Sequence, residues 1–156
     1  MTTATHDPAR TPATVSDPTT RPRRMLLRID GAFLVAVGAV QVTFELISHY
    51  TGGGILGETF EGSPYTIGWV ENHGLALLIG LVFITIGARD LRPSWHAFGI
   101  ALHAFLGTAN VVFWDAFVTF DTVVAGVLAT AAHVLFVGAH GVALVAARRS
   151  AAPVAG

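Results

Sequence analysis

The chain has 156 residues and a formal net charge of −1; 53% of its residues are hydrophobic and 12% are charged. That charged share is about half of what a soluble domain carries, so much of the apolar surface has to meet lipid, and no basic field suited to nucleic acid exists. The absence of Cys excludes disulfides, thiolate metal sites, iron–sulfur clusters and cysteine nucleophiles.

Residues 1–24 are polar, rich in Pro, Thr and Arg, and lack apolar periodicity. Such a segment buries too little surface to offset the entropy of ordering, which predicts a disordered tail. Within it, Arg23-Arg24-Met25-Leu26-Leu27-Arg28 resembles a twin-arginine export signal; the plainer role is positive charge flanking a first span. Four apolar runs follow, predicting helices over about 31–50, 72–91, 94–117 and 121–147, with Asp30 read as the N-cap of the first. About 20 residues at 1.5 Å rise cross a hydrocarbon core of roughly 30 Å. The stretch 51–70, with Gly52, Gly53, Gly54, Glu58 and Glu61, is expected to be a mobile cap without strands. Residues 150–156 read as a short second tail.

Every basic residue is Arg, and all lie on one side of this pattern. Arg10, Arg21, Arg23, Arg24 and Arg28 precede the first run, Arg89 and Arg92 separate the second from the third, and Arg148 and Arg149 follow the fourth. Because cytoplasmic loops retain positive charge, the expected fold is an all-α integral membrane four-helix bundle. It runs up-down-up-down, with both termini cytoplasmic, as a multi-pass protein of the cell membrane. Tyr50, Tyr65, Trp69 and Trp114 fall at the outer boundary and Trp95 at the inner one, as interfacial aromatic residues should. Small residues in rows (Ala76, Gly80 and Gly87; Gly99 and Gly107; Gly126 and Thr130) predict close helix packing.

Polar residues within the spans carry whatever chemistry exists, since each is costly in lipid. Gln41, Glu45 and His49 follow one another at four-residue spacing on helix 1. His96, His103 and Asn110 are seven apart on helix 3, as are His133 and His140 on helix 4. His96/His140 and His103/His133 are each symmetric about Val118, in the turn between these helices. An antiparallel hairpin would therefore place them as two His pairs in two layers, about 10 Å apart. His96, His103, His133, His140 and Asn110 are thus candidate cofactor-binding residues, for haem b or a divalent metal. The spacing admits at most one haem, and each layer would be a separate metal site. Without a cofactor, the same imidazoles can hydrogen-bond across helices, contributing about 0.6–2 kcal/mol each. Glu45, His49 and His73 form a second candidate metal set near the outer face, beside Glu71, Asn72 and Asp115; Glu71, His73 and Asp115 also read as solvated helix ends.

No nucleophile elbow, phosphate loop or zinc-protease pattern occurs, so an enzyme is not indicated. Arg28–Gly31 leading into helix 1 with Gly38 beyond, and Gly80-Leu81 followed by Gly87 and Arg89, resemble the DoxX-like small membrane proteins. The resemblance covers most of residues 25–148. It implies the four-helix architecture, and that family is loosely tied to quinone-linked redox complexes. Three functions follow: a non-enzymatic accessory module facing lipid and a membrane-protein partner or second copy; a haem-, metal- or quinone-binding redox protein; or an oligomeric proton-linked transporter working through Glu45 and His49.

Overall fold

Nothing between Thr20 and Thr51 interrupts a helix. Pro22 stands in the first turn, where a missing N–H breaks no helical bond, and the chain next turns at Gly52, whose φ of 64° suits only glycine well. The computed structural model describes residues 18–151, and the greater part of both expected tails lies outside them. Helix α1 accordingly spans Thr20–Thr51, and the last five residues of the expected disordered tail are its first turn. This overturns the reading of Asp30 as an N-cap: it lies in the third turn and is fully buried. The error came from taking charge as a boundary, although Arg23 to Arg28 are good helix formers.

The loop after α1 is tied down rather than free. A 3-10 turn at Gly57–Phe60 seats Phe60 against Trp69 and Phe120. The Gly62 amide donates to the His49 carbonyl, and the Ser48 hydroxyl to that of Gly53. The expected mobile cap is therefore an anchored one. Helix α2, Thr66–Val82, begins six residues earlier than expected, since no proline follows Pro64 within that stretch to stop it. It passes into a π turn at Phe83–Gly87, where Phe83 is fully buried against the rings of Trp95, Phe98 and His140.

Helix α3, Pro93–Val112, starts with Pro in its first turn and stops at Phe113, which leaves helical geometry at φ −103° and ψ 34°. The expected continuous helix to 117 is thus broken, and its end is a separate short helix α4, Trp114–Thr119. Asp121, at φ 53°, reverses the chain into α5, Val123–Ala151. Among the described residues there is no strand.

Two antiparallel hairpins result. In the first, α1 and α2 touch backbone to backbone: a Cβ on Gly31 would fall 2.6 Å from the Gly80 carbonyl oxygen, and one on Gly38 would fall 2.6 Å from that of His73. In the second, α3 packs on α5, and Gly99 lies beneath the His140 ring, where a Cβ would come within 2.8 Å. Gly107 makes the same room for His133. The small-residue rows therefore bring backbones together and also clear space for imidazoles.

The distribution of polarity is inside-out. Among the described residues, nine polar or charged side chains are buried against seven hydrophobic ones, while Phe105, Leu135 and Val142 are among many apolar groups facing outward. Lipid rather than water suits that exterior. Helices Thr20–Thr51, Thr66–Gly87 and Val123–Ser150 are long and apolar enough to cross a membrane. Helix α3 is also 20 residues long and bears His96, His103 and Asn110.

Candidate functional site

The buried face of α1 runs Arg23, Leu27, Asp30, Gly31, Leu34, Gly38, Glu45 and Ser48. It presents one carboxylate, Asp30, to the crevice between α3 and α5. There the two His pairs form as the symmetry about Val118 requires. His96 and His140 meet through their Nδ1 atoms at 3.0 Å, and His103 and His133 through theirs at 2.9 Å. The two layers are not independent, however. Asp30 Oδ1 lies 2.9 Å from His103 Nε2 and Asp30 Oδ2 lies 2.8 Å from His140 Nε2, so one carboxylate joins both pairs. Asp30, His96, His103 and His140 are each 0% exposed, and His133 is 9% exposed. Phe136 stacks on His103 at 4.7 Å with planes 16° apart, which fixes that ring. Arg23 closes one end: its Nε–H donates to His96 Nε2 at 3.4 Å, and a terminal N–H of the guanidinium donates to the Leu91 carbonyl.

The direction of every bond follows from what each group can do. An ionised carboxylate only accepts, so His103 and His140 both donate to Asp30 through Nε2–H. If these imidazoles are neutral, their Nδ1 atoms accept, and His96 and His133 donate through Nδ1–H. His96 Nε2 is then an acceptor, and the group facing it is Arg23, which can only donate. Two independent constraints, one from each end, thus agree on a single arrangement. A continuous hydrogen-bonded path runs from Arg23 through His96 and His140 to Asp30. On the other arm, the same reasoning leaves His133 Nε2 as an acceptor. His133 and His103 floor a groove of about 400 Å³ between α3 and α5, walled by residues including Gly107, Thr108, Thr130 and Val134.

Asp30, His103 and His140 offer donor atoms that all lie within 4.8 Å of one another, an arrangement that can hold a metal ion. Haem does not fit this packing. An iron between two imidazoles holds their nitrogens about 4 Å apart across the macrocycle, judged from metal–imidazole distances of about 2 Å. Here each pair is in direct contact at 2.9–3.0 Å. Asn110 stays outside the hydrogen-bonded cluster, and its Nδ2 is buried with no partner among the described residues.

The outer set is only partly assembled. His73 Nδ1 meets Glu45 Oε1 at 2.5 Å, with Glu45 1% exposed. His49 instead donates from Nδ1 to the Phe60 carbonyl at 3.2 Å. The second oxygen of Glu45 is buried without a hydrogen-bond partner.

Reasoning from sequence missed Asp30 and Arg23, the two charges of the site. The signal was present: they are seven residues apart on one α1 face, flanked by Leu27 and Leu34, just as each His pair is spaced. No protein-family model, curated protein or solved structure matches the chain.

Proposed function

We propose that the chain is a four-span membrane protein with both ends in the cytoplasm, acting as a non-enzymatic module whose inner cluster clasps two helical hairpins into one unit. The observation that carries this reading is Asp30, a single carboxylate on the first hairpin bonded at both oxygens to two helices of the second. The α1/α2 hairpin can associate closely through its glycines, but lipid supplies no hydrophobic drive to hold it against α3/α5. A satisfied polar network in a low-dielectric interior does. The one-sided Arg distribution supports the orientation, and α3 crosses as the third span, its two histidines turned into the cluster. This is the layout that the DoxX-like resemblance implies. The outward apolar faces of α3 and α5 fit lipid, a membrane-protein partner or a second copy of the chain.

Because the chain lacks Cys, single-cysteine labelling tests the layout directly. A membrane-impermeant maleimide should label Glu58→Cys in intact cells and Ser150→Cys only after permeabilisation. Labelling of both from the same side would refute the proposed orientation.

A further inference from the structure

We propose that Asp30, His103 and His140 form a binding site for one divalent first-row transition-metal ion, with His96 and His133 as supporting partners and Arg23 as an antagonist. The proposal goes beyond the clasp and does not depend on membrane orientation. Its first support is convergence: the three donor atoms come from three helices, lie within 4.8 Å of one another, and belong to residues that are 0% exposed. Three donors bonded at about 2.0–2.2 Å in a tetrahedral set lie about 3.3–3.6 Å from one another, so the widest pair, within 4.8 Å here, closes by up to about 1.5 Å on loading. Its second support is the shell around the ligands. Metal-binding imidazoles are usually held through their other ring nitrogen, and here His140 and His103 are so held, by His96 and His133. Its third is access, since His103 lines the groove between α3 and α5. Two imidazoles and one carboxylate select zinc, cobalt, nickel, copper or ferrous iron over magnesium or calcium, and three protein ligands leave a position open for water.

Loading reverses the hydrogen bonds described above. The ion takes the Nε2 lone pairs of His103 and His140, so the two protons facing Asp30 leave. Each of these imidazoles then carries its proton on Nδ1 and donates outward. His96 and His133 must accept at Nδ1 and carry their protons on Nε2. Two protons leave at Asp30, and one enters at each outer imidazole, so every ring stays neutral and the count balances. At the groove, His133 Nε2 changes from acceptor to donor. At the other end, His96 Nε2–H would face the Arg23 Nε–H, two donors against each other, and the guanidinium must release the ring and keep only Leu91. Arg23 therefore opposes loading, both through this conflict and through its charge.

The test uses the untagged full chain purified in detergent, with Co²⁺ as the spectroscopic probe. One Co²⁺ per chain should bind with visible d–d absorption, be displaced by Zn²⁺ and resist Mg²⁺. Asp30→Asn should abolish the absorption. Arg23→Gln, which leaves all three ligands in place, should tighten Co²⁺ binding by about tenfold, within the usual range for groups just outside a metal's ligand set. A merely structural arginine would weaken binding or leave it alone. Nitrogen-15 shifts of the histidines should move the His133 proton from Nδ1 to Nε2 on Zn²⁺ loading. No saturable absorption in the folded wild-type chain overturns the site. So does absorption that persists in Asp30→Asn with helical circular dichroism intact. Unchanged or weaker binding in Arg23→Gln overturns the antagonism.

Discussion

Asp30 and Glu45 lie on the same face of the same helix, both are buried, and both are bonded to histidine, yet they hold different things together. Asp30 reaches across to the second hairpin and has both oxygens satisfied. Glu45 reaches only to His73 on its own hairpin, and its other oxygen has no hydrogen-bond partner. A carboxylate's worth to a membrane bundle thus depends less on burial than on how many independent elements it closes.

Removing Asp30 should be the most damaging change. Asp30→Ala strands two imidazole donors and leaves Arg23 as an uncompensated buried charge, at a cost of about 3–5 kcal/mol, read as earlier unfolding in a detergent-denaturant titration. Next comes the backbone contact within the first hairpin. Gly31→Val drives a side chain into the Gly80 carbonyl and should cost about 1–3 kcal/mol by overpacking, seen in the same titration. Glu45→Gln keeps an acceptor for His73 and should cost about 1 kcal/mol or less, in line with measured interhelical hydrogen bonds in lipid. If it matched Asp30→Ala, the contrast between the two carboxylates would collapse. The smallest effect has the opposite sign. Asn110→Leu removes a buried donor without a partner and should leave the midpoint unchanged or raise it by up to about 1 kcal/mol.

The helices and the His pairs were legible because both rest on periodicity. Spacing of seven on α3 and α5, mirrored about Val118, is enough to match His96 with His140 and His103 with His133. What escaped were boundaries and partners. Arg23 to Asp30 looked like a hydrophilic approach to a span, since charge near an apolar run is ordinarily a sign of water. Here the guanidinium and the carboxylate neutralise each other inside, and the helix continues through them. The break at Phe113 was illegible for another reason: Val112, Phe113 and Trp114 carry no helix-breaking residue, so nothing in the local sequence marks it. The Glu45, His49 and His73 set was only half assembled because Phe60, brought back by the 3-10 turn, offers His49 a carbonyl. No spacing rule within one helix anticipates a competitor from a loop.

Asp30 finds its last partner 110 residues further along the chain, on the final helix. At about 5–20 residues per second of synthesis, the carboxylate waits roughly 5–20 s in or beside the bilayer before the ring that completes its environment has been made. For that interval the nascent hairpin is an open structure with a charge facing its neighbours, and a chain truncated before His140 never leaves this condition. The bond to His140 therefore separates chains that extend through α5 from shorter ones by whether a buried acid has been covered at both oxygens.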